Sequence, residues 1–600
     1  MSIGKKFIAG VIIVVAVVLA ISSSWGDSTV VDEVPHIGAG YSYLVKQDYR
    51  LNPEHPPLAK DLAAIPLLFL NLNQTAFQTK AWQTDINGQW EFGRALIYNS
   101  GNNPTVVTQV ARLPMMLFFI LSAILVFIWA YELYGQLAAF IALILFSFSP
   151  TIMAHSRFVT TDVAALWAVL YATYFFVKYL KAPTHKNLII AGLIFGLALL
   201  AKFSTILLIP LFGLIALIYG YIKSQPHEKI KDALSRALKT VVLMAIGFII
   251  IVWPVYYLHT YNYPIERQHR DTEAILRSIY GDSYARYSFM LNPVVYASGQ
   301  PIIRAPAHYF LGVFRVFHQT SEPHNTYFLG QVNAYGSHLY FPVVYFIKEP
   351  LAWWALVVIA LLFLGTQLQR PSRETFHRVS AFIKNHLAEF AMILWLIIYW
   401  AASINSTLNI GVRHLLPTYP FAILLVSGLI ARVGQKVKAK SKKFSVTFMV
   451  VLAILLGSYV SENLDVYPFY LTYFNQTVGG SAGGYEYVND SNLDWGQDLR
   501  RLADWVKQNN IPRIETDYFG WADPVYYMGQ TYEQLWSSKY RDAQDFKSRN
   551  DTNGWIAISA TFLKGSEGSP EFPKPVNYTW LESFKPVTIV GNSIFIYHIK

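Results

Sequence analysis

Long apolar runs recur along this chain and set the tightest limit on what it can fold into. They occur near residues 7 to 24, 110 to 131, 136 to 152, 162 to 180, 187 to 203, 205 to 222, 240 to 258, 351 to 367, 388 to 404, 416 to 431 and 445 to 460. Each reaches or approaches the ~20 residues that an α-helix needs to cross a bilayer. The expected architecture is a polytopic α-helical membrane protein with about eleven transmembrane helices. Composition agrees, since 54% of the 600 residues are hydrophobic and only 14% are charged.

The net charge of +11 would suit nucleic acid in a soluble protein, so the placement of the basic residues decides its meaning. With a cytoplasmic N terminus, the inside loops hold Lys5 and Lys6, then Lys178, Lys181 and Lys186, and then Lys223, Lys229, Lys231, Arg236 and Lys239. Arg370, Arg373, Arg378 and Lys384 follow, and the series ends in "KVKAKSKK". The short outside loops carry little beyond Arg157, Lys202 and Arg413. This bias is the positive-inside pattern of a multi-pass protein of the plasma or inner membrane; it accounts for the charge without a nucleic-acid partner. Removal of residues 1–23 as a signal peptide is the alternative to a retained first helix. An odd span count with strong downstream bias favours retention.

The spans divide the chain into a transmembrane domain over 1–460, with external loops at 25–108 and 259–350, and an extracytoplasmic domain over 461–600. In that last part "DWGQDLRRLADWVKQNN" places Leu499, Leu502 and Val506 on one helix face, followed by strand-like "RIETDYF", "WIAISA" and "VTIVGNSIFIYHI". The expectation is a small α/β domain.

There is no cysteine, so thiolate nucleophiles and thiolate metal sites are excluded and any chemistry uses carboxylates, histidines, hydroxyls or cations. Just after the first span, "STVVDEVPHIGAGYSYLVKQDYRLNPEHPPLAKDL" brings Asp32, Glu33, His36, His55 and Lys60 together. Asp32 suits a helix cap, with Glu33 and Pro35 in the first turn. Pro56 and Pro57 open an amphipathic stretch whose Leu58, Ala59, Leu62, Ile65 and Leu68 suit a membrane interface.

His155, Arg157 and Asp162 lie between two later spans, Lys202 ends another, and Lys348, Glu349, Arg413 and His414 mark further span ends on the same side. A charge at one helix end often snorkels to water. Acids and bases collected on one face instead suit transfer of a group from a lipid phosphate to an incoming acceptor. The cations Lys60, Arg157, Lys202, Lys348 and Arg413 are available to stabilise a phosphate leaving group. Asp32 or Glu33 is available as the base for a hydroxyl nucleophile. A single displacement would invert the sugar carbon. A membrane transporter or flippase of a lipid-linked sugar is the alternative, but it would concentrate charge at mid-membrane rather than at span ends. A scaffold presenting the C-terminal domain would not require the spaced acids.

At these residues the chain resembles the protein O-mannosyltransferase and aminoarabinose transferase superfamily of membrane glycosyltransferases, including bacterial lipid-carrier-dependent family 39. The resemblance lies in "VDEVPHIGAGYSYLVKQDYRLNPEHPPLAKDL", with its acidic pair and later His-Pro-Pro-Leu-x-Lys, in "SRFVTTDVAALW", and in "GLIFGLALLAKFS". It implies a C-fold glycosyltransferase with juxtamembrane helices in the first external loop and a site at the outer face. The donor would be a polyprenyl-phosphate sugar, and the acceptor a protein or glycan hydroxyl. Asp32 and Glu33 would be the catalytic pair. His55, Lys60, Arg157, Asp162, Lys202, Lys348 and Arg413 would bind or organise substrate. No cofactor is required by this pattern, although Asp32, Glu33, His36 and Asp162 offer donors to a divalent metal without tight ligand spacing. The alternation of Asp490, Asn492 and Asp494 is like a calcium loop, but Gly496 comes one residue late and Arg501 stands in place of the closing glutamate. These residues read as turn and helix-start positions.

Overall fold

The computed structural model describes residues 2–367, 375–549, 554–565 and 578–599. Arg370 and Arg373 of the basic inside set lie outside the described residues. Among those described, eight helices are long and apolar enough to cross a membrane. They are Ile3–Ser23, Pro104–Tyr134, Asp162–Lys181, Phe203–Lys223, Lys229–His259, Leu387–Ile404, Val412–Lys440 and Lys442–Asp465. Two more runs are bent pairs: Gln136–Ser147 with Pro150–Ser156, at 57°, and Tyr340–Lys348 with Leu351–Gln367, at 112°. The eleventh apolar run is the shorter helix His185–Leu199. Proline explains both bends, because Pro150 and Pro350 lack the N–H that a continuing helix would use. At the first bend the Ser149 hydroxyl accepts the Ile152 N–H and starts the new helix.

Small residues set the closest helix contacts. A methyl group at Gly196 would strike the Gly247 carbonyl, and one at Gly247 would strike the Gly192 carbonyl, so His185–Leu199 crosses Lys229–Gly247 at backbone contact. After the first span, Gly40 lies against the Lys60 carbonyl, which packs the helix Glu33–Lys46 onto Leu58–Ala64.

The amphipathic stretch forms that helix and then a tighter turn, Ile65–Phe69. Only Ile65, Leu68 and Phe69 present exposed apolar surface. Ala59 is buried and Leu58 and Leu62 are half-buried, so the expected lipid-facing stripe shrinks to the last turn.

A small hairpin pairs β1 (Thr326–Phe328) with β2 (Gln331–Asn333). The C-terminal region builds one sheet from β3 (Ile514–Asp517), β4 (Tyr532–Gln534), β5 (Trp555–Ser559), β6 (Thr588–Val590) and β7 (Ile594–His598). The order is β4-β3-β5-β7-β6, parallel through β4, β3 and β5 and antiparallel through β5, β7 and β6. Ala557 faces Ile596 across the central pair. The helix Leu499–Gln508 buries Leu499, Leu502 and Val506, the face its spacing predicts. The short β4 has no apolar alternation, and its pairing along β3 creates it.

Candidate functional site

The site forms where several span ends meet. Asp32 precedes the helix Glu33–Lys46, Asp162 opens its span, Lys202 follows the short helix His185–Leu199, and Arg413 lies in the turn that opens Val412–Lys440. Arg413 Nη1 lies 2.7 Å from Asp32 Oδ2 and 3.5 Å from Asp162 Oδ2. Lys202 Nζ lies 2.6 Å from Asp162 Oδ1. The result is an alternating chain of charges: Asp32, Arg413, Asp162, Lys202. Asp162 and Arg413 are buried, while the Asp32 side chain keeps 20% exposure, so of the two acids on Arg413 Asp32 is the one that an incoming molecule can reach. Asp32 occupies the cap position of its helix, but its side chain makes no capping hydrogen bond. The expected capping role is therefore replaced by the ion pair to Arg413.

His36 and His55 stand beside this chain with ring centres 5.0 Å apart, edge to face. The Val159 carbonyl lies 2.8 Å from His36 Nδ1 and can only accept, so Nδ1 carries the proton. Burial lowers the His36 pKa and pushes that of His55 well below the ordinary imidazole range. Burial therefore favours the neutral form of both rings. Asp490 also reaches this neighbourhood, and burial raises its carboxyl to about 6 against the pull of Arg413.

A cavity of about 300 Å³ adjoins the cations, lined by Phe203 and Ser204 next to Lys202, by His414 next to Arg413, and by Val313, Phe317 and Tyr399. Its wall is mainly apolar, with the polar side chains of Ser204, Asn405, Ser406 and His414 among its lining. Asp162 Oδ2 and His414 Nε2 are buried without a hydrogen-bond partner among the described residues.

Four residues expected at the site are engaged by protein groups in this structure. Glu33 is fully buried, and its two oxygens accept a bidentate contact from Arg112, at 2.8 and 2.6 Å, together with the N–H groups of Val30 and Val159. Four donors thus occupy its oxygens and tie it to the loop. Lys60 is fully buried and donates to the Tyr43 hydroxyl, Asn52 Oδ1 and the carbonyls of Asn52 and His55 at 2.7–3.0 Å. Arg157 pairs with Asp27 at 3.1 Å and donates to Ser23 Oγ. Lys348 donates to the carbonyls of Leu471 and Asn492 and lies 4.3 Å over the Phe474 ring. Burial forces each of these cations to find oxygen partners inside the protein.

Two structural partners escape sequence reading. Arg112 lies within a span, and Asp27 takes both Arg157 and Arg501. The signal for both was present, as charges at the edge of apolar runs, but neither partner is close in sequence. No group of three or more His, Asp or Glu side chains arranged to hold a metal ion occurs among the described residues. Between Asp32 and Asp162 the positive charge is the Arg413 guanidinium.

Residues 105–257 match the family model described as dolichyl-phosphate-mannose-protein mannosyltransferase. No curated protein matches the chain. Among solved structures, the chain is similar to the S. cerevisiae protein O-mannosyltransferase Pmt1-Pmt2 complex bound to the sugar donor. That likeness has 21% identity over 44% of this chain and 34% of that one, with a TM-score of 0.34. It is also similar to ArnT from Cupriavidus metallidurans bound to undecaprenyl phosphate, at 13% identity over 98% and 97% of the two chains with a TM-score of 0.45. The Archaeoglobus fulgidus oligosaccharyltransferase in its apo form gives 11% identity over 98% and 73%, with a TM-score of 0.49. The family match takes in Arg157 and Asp162, the second acidic motif, and also Lys202. The match to that family model is confined to residues 105–257, and the Asp32–Glu33 pair and the His-Pro-Pro motif lie before it.

Proposed function

We propose that this chain is an inverting glycosyltransferase, moving a sugar from a polyprenyl-phosphate carrier to a hydroxyl of a protein or an envelope glycan or lipid. The site would face the outer side of a cell membrane. The observation that carries the reading is one accessible carboxylate, Asp32, on the same guanidinium as the buried Asp162–Lys202 pair, beside an apolar cavity. The family match over residues 105–257 supports it.

In this reading the donor phosphate approaches Arg413 and Lys202 while the first units of its lipid enter the cavity. Arg413 then turns part of its charge from Asp32 to the phosphate, which frees the Asp32 carboxylate for the acceptor. Asp32 takes the hydroxyl proton as the acceptor oxygen bonds to the sugar carbon. The bond from that carbon to the phosphate oxygen breaks, and its electron pair leaves with the phosphate. Attack opposite the leaving group inverts the carbon. Arg413 and Lys202 stabilise the charge that develops, and Asp162 holds both cations in place. The two cations supply the positive charge, so the reading requires no metal.

The test uses membranes supplied with a panel of labelled polyprenyl-phosphate sugars, with products identified by mass spectrometry. Asp32→Asn is expected to cut transfer by about 10²- to 10⁴-fold, the usual contribution of a positioned base, with abundance and insertion unchanged. Near-normal turnover would remove Asp32 as the base. Lipid translocation in vesicles with no acceptor product would favour a transporter.

A further inference from the structure

The C-terminal region does more than sit above the membrane domain. The Ser491 hydroxyl accepts the Arg413 Nε–H at 3.0 Å and donates to the Ile410 carbonyl at 2.6 Å. The Arg413 guanidinium lies 4.3 Å over the ring of Trp495, which is buried. Asn492 Oδ1 accepts the Val412 N–H at 2.9 Å, next to Arg413. The same segment also grips the chain that carries Asp32. The Trp495 carbonyl accepts the Val31 N–H at 2.9 Å, the Gln497 carbonyl accepts the Ser28 N–H at 2.9 Å, and the Gly496 carbonyl accepts the Ser28 hydroxyl at 2.7 Å. Residues 491–497 thus hold both partners of the Asp32–Arg413 pair, although the two lie far apart in sequence.

Gly411 shows how closely this fit is made. A methyl group there would fall on the Ser491 hydroxyl, yet it would stand an ordinary 3.4 Å from the Ser491 Cβ. The glycine keeps the space that the hydroxyl fills.

We propose that Ser491 and Trp495 are positioning residues for Arg413, so that the donor phosphate site is complete only with the 491–497 segment docked. The inference rests on the reading of Arg413 as a phosphate-binding cation. Ser491 fixes the guanidinium edge through Nε, and Trp495 supplies a face that a cation favours. Together they leave Nη1 pointed at Asp32 and Asp162, where a phosphate would enter.

The experiment measures donor and acceptor kinetics on purified full-length protein in lipid, with a labelled polyprenyl-phosphate sugar that the wild type accepts. Ser491→Ala and Gly411→Ala are each expected to lower kcat/KM for the donor by about 10- to 100-fold, the value of one charge-assisted hydrogen bond. The acceptor KM and the unfolding temperature should change little. Because both changes remove the same contact, the double variant should lose no more than either single variant. Trp495→Phe, which keeps an aromatic face, should lose less than Trp495→Leu.

Losses that multiply in the double variant, or donor kinetics unchanged in both single variants, would overturn the proposal. A purely structural role would also overturn it: unfolding temperature would fall while donor kcat/KM per folded molecule held. If the wild type transfers no sugar from any donor, the glycosyltransferase reading itself falls, and that result is distinct from an active wild type with indifferent variants.

Discussion

Two adjacent acids, Asp32 and Glu33, show how much a single residue's surroundings decide. Their side chains have the same charge and follow each other in sequence, yet Asp32 keeps solvent access beside Arg413 while Glu33 is sealed against Arg112. Removing one partner of a sealed ion pair leaves a bare buried charge, which costs about 3–5 kcal/mol. Glu33→Gln should therefore lower the unfolding temperature and the folded yield sharply, with turnover per folded molecule largely kept. Asp32→Asn should do the reverse. Calorimetry or fluorescence melting beside turnover separates the two, and a Glu33→Gln protein that melts normally but is inactive would restore Glu33 to the chemistry. The sequence marks the acidic pair but not this division, because Arg112 and Arg413 are brought in from elsewhere by the fold. Lys60 makes the same point, since its place in the His-Pro-Pro-Leu-x-Lys pattern says nothing of the four oxygens that occupy it.

At the scale of elements, the short helix His185–Leu199 determines where Lys202 lies. Its Gly192 and Gly196 allow backbone contact with Lys229–Gly247, and the chain then turns out at Lys202 to meet Asp162. A bulky side chain at the crossing has to push the helices apart, because small residues are what permit such an approach. Gly196→Ile should reduce folded protein in membranes and lower transfer by the remainder, whereas Gly213→Ile, at a glycine with open space around it, should do neither. Quantitative membrane immunoblotting with the transfer assay distinguishes them. Apolar periodicity and length make this helix readable, and the glycines are visible in sequence. What they pack against is not visible, since a glycine gives no sign of its partner.

For the whole molecule, the charge bias leads to a proposed orientation with the N terminus cytoplasmic and the C-terminal region outside. The chain has no cysteine, so single cysteines can report on each side without background. Cysteine at the exposed Lys507 should react with a membrane-impermeant maleimide on intact cells, and cysteine at the exposed Lys436 should react only after permeabilisation. The opposite pattern would invert the orientation and move the proposed site to the inner face.

The sequence by itself determined that this protein is a bundle of apolar helices with an α/β tail, because helix length, hydropathy and strand alternation are local properties that each segment carries alone. It also pointed to a charged face, since ionisable residues at span ends stand out against apolar runs. The tertiary structure alone decided which charges meet: Asp32, Arg413, Asp162 and Lys202 form one alternating chain with Asp32 its most exposed member, while Glu33, Lys60, Arg157 and Lys348 are held by buried partners. The physical reason is that a buried charge is stable only beside an opposite charge or several hydrogen bonds. Those partners come from distant parts of the chain, so pairing is a property of the assembled fold.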